Sequence, residues 1–207
     1  MQPLIAIVDY GAGNLKSIEN CMRSVGARTQ VASHARDLEG VCGVVLPGVG
    51  SFGYAVSSLS RSGLSDELRR IATRKPLLGI CLGMQMLFSC SEESPGCQGL
   101  GILPGRVQRL SEAARKVPNM GWCAVTTRLP GILGDQDQTD CFYFAHSYAC
   151  VVPEELVTAS EETALVASVR SGLVYGVQFH PEKSGEQGRQ VLSRFVRLCS
   201  EEATACC

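Results

Sequence analysis

Pro76-Leu77-Leu78-Gly79-Ile80-Cys81-Leu82-Gly83-Met84-Gln85-Met86-Leu87-Phe88 is the stretch on which the reading of this chain turns. Its apolar start predicts a short buried strand, Leu77–Cys81, and Met84–Cys90 predicts a helix, with space between for only a sharp turn. Glycines at 79 and 83 let strand and helix approach closely. A strand, a G-x-C-x-G turn and a helix lift the central side chain above the sheet, as the G-x-S-x-G elbow does for a serine. A thiol at a helix start also feels partial positive charge, which favours the thiolate. Cys81 is therefore a candidate nucleophile. A cysteine among apolar residues is more often an inert small hydrophobe, and ten others are present, so the reading requires a base.

Working outward, a base stands about a hundred residues on. Leu173–Phe179 reads as a strand, and His180-Pro181-Glu182 follows it. Proline at 181 biases His180 towards an extended conformation. Residues i and i+2 of extended chain point to one side, so Glu182 reaches one imidazole nitrogen while the other faces the thiol. Cys81, His180 and Glu182 then supply nucleophile, base and orienter. His34 and His146 have no carboxylate two residues on.

A third segment, Val44-Val45-Leu46-Pro47-Gly48-Val49-Gly50-Ser51-Phe52, ends a buried strand in a glycine-rich turn. Such a turn leaves backbone N–H groups free to face a ligand, and a tetrahedral intermediate needs donors for its oxyanion. One donor would come from Gly48-Val49. Another would come from the amide of Leu82, which follows the nucleophile.

Strand and helix alternate along the first half: strand Leu4–Val8, helix Leu15–Val25, strand Val41–Leu46, then a helical region to Ala72 broken near Gly63. Near-continuous apolar strands separated by helices indicate a parallel sheet covered on both faces. Ser91–Gly99 reads as a loop. Short strands are expected at Ile102–Leu110, Trp122–Thr126, Cys141–Ala145, Tyr148–Val152, Ala164–Val169 and Leu173–Phe179, with a closing helix Gly188–Cys199. The expected class is α/β: a mostly parallel twisted sheet with helices on both faces and added short antiparallel strands, forming one domain over 1–207.

Leu46–Gly50, Gly79–Gln85 and Gly176–Ser184 together resemble the class I, triad-type glutamine amidotransferases. Asp9–Leu15, Val117–Trp122 and Phe142–Tyr148 narrow the resemblance to the glutaminase subunits of imidazole glycerol phosphate synthases. The resemblance spans residues 9 to 184 and implies a flavodoxin-like fold. It also implies hydrolysis of L-glutamine to glutamate and ammonia, with no cofactor and no metal. Gln85, Ser147 and Tyr148 would help hold the glutamine. The ammonia would pass to a separate (β/α)8 cyclase, the heterodimer partner, which makes imidazole glycerol phosphate and an aminoimidazole carboxamide ribotide in histidine biosynthesis. Asn14, Tyr143 and Lys183 match family positions near that interface. The chain departs from the usual pattern at Asn119, where histidine is common, and at Cys123, where asparagine is common. The alternatives are a glutaminase subunit of another pathway, a stand-alone hydrolase of γ-glutamyl compounds and a non-catalytic scaffold.

Composition is compatible with this. A length of 207 residues suits one α/β domain. A formal net charge of −1 gives no reason to expect nucleic acid or a membrane surface, and the apolar runs are too short to span a bilayer. Met1–Val8 lacks a basic leader and reads as the first strand. The eleven cysteines are irregularly spaced without a Cys-x-x-Cys pair, so reduced thiols in a cytoplasmic enzyme are expected rather than a disulfide framework or zinc site. Cys206-Cys207 reads as a frayed end, not a C-a-a-X box. Gly11-Ala12-Gly13 mimics a dinucleotide fingerprint, but Lys16 stands where its third glycine belongs.

Overall fold

Two sets of apolar residues alternate along the same strands. In β1 (Leu4–Val8), Ile5 and Ile7 enter one core while Ala6 and Val8 enter another. β3 (Gly43–Leu46) divides Val45 from Val44 and Leu46, and β4 (Leu77–Ile80) divides Leu78 and Ile80 from Leu77. Burial on both faces is what makes such strands read as unbroken apolar runs. α2 (Phe52–Arg61) and α3 (Leu64–Ile71) cover one face through Phe52, Leu59, Leu64 and Leu68. α1 (Leu15–Ser24) and α5 (Gly185–Ala205) cover the other through Ile18, Met22, Val191 and Phe195.

This architecture is that of a computed structural model describing residues 2–113 and 116–205. With β2 (Arg28–Ala32) and β11 (Val174–Val177), the parallel part runs β2-β1-β3-β4-β11. That is the doubly wound order of flavodoxin-like sheets. The sheet continues with antiparallel β10 (Val166–Ser171), β9 (Val157–Glu161), β6 (Asn119–Thr127) and β7 (Thr139–His146), reaching nine strands. β5 (Arg106–Arg109) and β8 (Tyr148–Val151) form a separate antiparallel pair. The expected α/β class is what the chain adopts. The turns after β1, β3, β4 and β11 share the carboxyl edge of the parallel strands, where open α/β sheets bind ligands.

Several boundaries differ from expectation. The helix after the elbow is α4, Leu82–Met86, not Met84–Cys90. It starts directly behind Cys81 and stops early, and the amides of Gly99, Leu100, Gly101, Ile102 and Leu103 bond back to carbonyls of residues 86–89. Ile102–Leu110 contracts to β5, and Ala164–Val169 shifts to β10. The final helix begins at Gly185, three residues early, and runs to Ala205. Two strands were not expected. β2 is a polar edge strand paired only with β1, and β9 buries small residues, Ala159 and Ser160, without a strong apolar signature. Cys206 and Cys207 lie outside the described residues. None of the nine described cysteines is in a disulfide, and no described helix is long and apolar enough to cross a membrane.

Candidate active site

Cys81 has φ 53° and ψ −111°. Positive φ in a residue with a β-carbon costs on the order of 1–3 kcal/mol and survives only where its surroundings fix it. Here its amide donates to the Val177 carbonyl at 2.7 Å, while its own carbonyl accepts from Gln85 at 3.1 Å. Beneath it, the turns after β3 and β4 interlock without side chains. A β-carbon on Gly83 would stand 1.8 Å from the Leu46 carbonyl oxygen, and one on Gly48 2.2 Å from the Gly83 nitrogen. The two glycines thus hold the Gly48-Val49 turn directly against the elbow.

His180 enters from the end of β11 with extended φ −101° and ψ 97°. The expectation that 180–182 continue as extended chain is corrected: Pro181–Lys183 form one turn of 3-10 helix. The turn still delivers Glu182, whose Oε1 lies 2.9 Å from His180 Nδ1, with both side chains nearly solvent-free. A carboxylate only accepts, so Nδ1 carries a proton and the other ring nitrogen is left for the Cys81 side. Burial would lower the imidazole's pKa, but the Cys81 and Glu182 side chains outweigh it and push the value up to about 9. Glu182 Oε2 is buried without a hydrogen bond of its own, so the carboxyl's contact with the imidazole runs through Oε1.

His146 sits in the same cavity but is committed elsewhere. Its Nδ1 is 2.7 Å from the Tyr148 carbonyl, which can only accept, so Nδ1 carries hydrogen. Its Nε2 then accepts from Asn119 Nδ2 at 3.0 Å. With both nitrogens occupied, His146 is poorly placed to act as base. Asn119 Oδ1 in turn takes a contact from Cys123 Sγ at 3.7 Å.

The oxyanion candidates Gly48, Val49 and Leu82 line the same cavity as Cys81, but their amides are not all turned towards it. Leu82 opens α4, and first-turn amides have no partner within the helix. The Val49 amide, however, donates to the Tyr10 hydroxyl at 3.3 Å, and that hydroxyl reaches the Val49 carbonyl at 3.4 Å. Burial pushes the Tyr10 pKa up to about 12, so the hydroxyl stays protonated. Turning the Val49 amide towards Cys81 requires releasing Tyr10.

These groups line a cavity of about 380 Å³. Cys81, Leu82 and His180 line it together with the Gly48-Val49-Gly50 turn and with Gln85, Ser147 and Tyr148. Gln85 Nε2 is anchored to the Tyr148 carbonyl at 2.9 Å and Gln178 Oε1 at 3.0 Å. Two lining or adjoining residues were missed in the sequence. Glu93 lies in the loop 91–99 and is held by the Phe52 amide at 2.7 Å, placing a carboxylate on the wall. Gln178, fully buried, donates to Cys81 Sγ at 3.7 Å. Gln178 stands two residues before His180 and could be singled out by polarity inside an apolar strand end; Glu93 has no such signal.

At the rim, Lys183 Nζ lies 5.8 Å above the Tyr143 ring, and Trp122 meets the same ring edge-on at 6.2 Å. Asn14 precedes α1, a helix that packs on the 181–183 turn. Among the described residues no group of three His, Cys, Asp or Glu side chains is arranged to hold a metal ion.

A sheet of this order with a cysteine elbow and a His–Glu pair at its carboxyl edge defines a class, and sequence comparison assigns it. The chain belongs to the family described as glutamine amidotransferase class-I, whose pattern matches residues 6–199. Among curated relatives it is 46% identical to the imidazole glycerol phosphate synthase subunit HisH of Moorella thermoacetica, covering 99% of both chains. It is 44% identical to the same-named subunit of Methanothermobacter thermautotrophicus, covering 94% of this chain and 98% of that one. Similar solved folds include a putative GMP synthase subunit from Thermoplasma acidophilum, with TM-score 0.76, 20% identity and coverage of 99% and 98%. The PurLQS structure from Thermotoga maritima gives TM-score 0.78 at 19% identity, covering 95% of this chain and 99% of that one.

Proposed function

We propose that the whole chain, 1–207, acts as the glutaminase domain of an imidazole glycerol phosphate synthase. In this reading it releases ammonia from L-glutamine for a (β/α)8 cyclase subunit bound as heterodimer partner. The observation that carries the chemistry is the strained Cys81 beside a buried His180–Glu182 pair in an open cavity. The choice of pathway rests on the near-full-length similarity to subunits of that name.

The Cys81 thiolate attacks the side-chain carbonyl carbon of glutamine, and the oxygen takes up negative charge. The Leu82 amide and a reoriented Val49 amide donate to that oxygen. The C–N bond then breaks, and His180, protonated at neutral pH, gives its proton to the departing nitrogen, leaving ammonia and a glutamyl thioester. Neutral His180 next takes a proton from water as its oxygen attacks the thioester. Thiolate leaves, glutamate forms and the imidazolium is restored. Gln85, Ser147 and Tyr148 position the substrate, while the Glu93 carboxylate offers its charge to the α-ammonium group.

The test is glutamate release by the chain alone and with the cyclase and its nucleotide ligand. Low activity alone and strong stimulation in the complex are expected, since one absent oxyanion donor costs roughly a hundredfold or more in rate. Cys81→Ala should abolish turnover while free ammonium salts still feed the cyclase. Full activity of the isolated chain, unchanged by the partner, would replace the reading with a stand-alone hydrolase.

A further inference from the structure

We infer that the buried carboxamide of Gln178 is a positioning residue for the nucleophile, its N–H directed at the Cys81 sulfur so that it aims the sulfur into the cavity and supports the negative charge of the attacking form. The inference deepens the proposed function and rests on Cys81 being the nucleophile.

Two contacts compete at the sulfur. As a thiol, Cys81 donates to the Ala145 carbonyl at 3.9 Å, a contact available only to the protonated form. Gln178 Nε2 lies at 3.7 Å with a donor of its own, and a thiolate accepts more strongly than a thiol. Hydrogen bonding to the charged form favours it; hydrogen bonding from the neutral form opposes it. The amide therefore counters the carbonyl. Its orientation is fixed rather than free, because Gln178 Oε1 accepts from Gln85 Nε2 at 3.0 Å, leaving only the N–H edge for sulfur. Gln85 is itself pinned by the Tyr148 carbonyl at 2.9 Å. A chain of amides thus runs from the substrate wall to the back of the nucleophile.

Gln178 has no exposed surface, so it acts through Cys81 and not on glutamine. A neutral donor suits the place: it supports negative charge on sulfur at every pH without adding a charge that would bind the imidazole's partner. The support is also needed, since α4 is a helix of only five residues and its dipole is correspondingly small. The other titratable groups acting on the sulfur are His180 with Glu182 behind it, Tyr10 from the turn after β1 and Cys150 from β8. Burial holds the Cys150 thiol protonated. All of these remain in the variants below.

The experiment reads Cys81 directly: alkylation by iodoacetamide across pH, resolved to the Cys81 peptide by mass spectrometry, on the full chain without glutamine or partner. Gln178→Met keeps the side-chain length and removes the donor. Gln178→Glu keeps the shape and offers a carboxyl. Near-ultraviolet circular dichroism verifies that each is folded; Gln85 keeps its Tyr148 bond in both. The pH of half-maximal alkylation should rise by about one unit in Gln178→Met and by more in Gln178→Glu. In the cyclase complex, kcat for glutamine should fall about tenfold in Gln178→Met with KM nearly unchanged. Profiles superimposable on wild type in either folded variant overturn the inference. Shifted profiles in a chain that hydrolyses no glutamine with its partner would leave the inference standing and remove the glutaminase reading.

Discussion

His180 is governed by opposing influences that can be ranked. Burial favours the neutral ring, yet the Cys81 and Glu182 side chains prevail and move the group from 6.5 to about 9. The folded protein then binds this proton more tightly than the unfolded chain does. The resulting stabilisation is complete below about pH 6.5 and is lost as pH rises through about 9. Its size corresponds to about 3 kcal/mol. Replacing both charges by amides, as His180→Gln with Glu182→Gln, removes the linkage without stranding a buried carboxylate. Urea denaturation at pH 6 and pH 9.5 should show wild type losing an amount of that order relative to the double variant. A gap that does not change with pH would mean that the neighbours do not hold the imidazole protonated.

Between elements, the decisive joint is that between the turn after β11 and strand β7. Ser184 is fully buried; its hydroxyl donates to the His180 carbonyl at 2.6 Å and accepts from the Tyr143 amide at 3.0 Å. The His180 amide donates to the Tyr143 carbonyl at 2.9 Å. Ser184→Ala leaves the Tyr143 N–H buried without its partner, which costs about 1–3 kcal/mol. It also frees the peptide that carries His180, so kcat should fall with little change in KM. An unaltered kcat in a destabilised variant would confine Ser184 to the fold. The joint also marks what a sequence displays and what it hides. β1, β3 and β4 were legible because burial on both faces writes an apolar run, and the elbow and the His-Pro-Glu turn because their residues are neighbours along the chain. β2, Arg-Thr-Gln-Val-Ala, lies at an edge and needs no apolar pattern. β9, Val-Thr-Ala-Ser-Glu, is buried through small residues that carry little strand signal. Glu93 and Gln178 reach the site only through contacts 41 and 97 residues apart, which no local pattern records.

Across the whole molecule, the cavity opens beside an apolar surface that this chain leaves uncovered. Met120 is 65% exposed and Trp122 58%, neighbouring positions on β6 near the Asn119 end. Trp122 rests on Tyr143 and Tyr143 beneath Lys183, so indole, phenol and ammonium form one raised cluster next to the His180 turn. An exposed indole and methionine side by side next to a cavity mark a docking surface more often than a solvated face. In the proposed heterodimer, a cyclase seated there would close the cavity against water and keep ammonia from escaping. It would also press on the turn that carries His180 and Glu182, which gives partner binding a physical route to the catalytic pair. Trp122→Ala should therefore weaken association with the cyclase by about 2 kcal/mol or more, roughly thirtyfold in Kd. The control is Leu129→Ala: Leu129 is also 48% exposed but lies past the far end of β6, roughly 20 Å or more along the strand direction. Calorimetric titration of each folded variant into the cyclase should separate them, with Leu129→Ala binding as wild type does. Equal affinities for wild type and Trp122→Ala would move the partner to another face of the molecule.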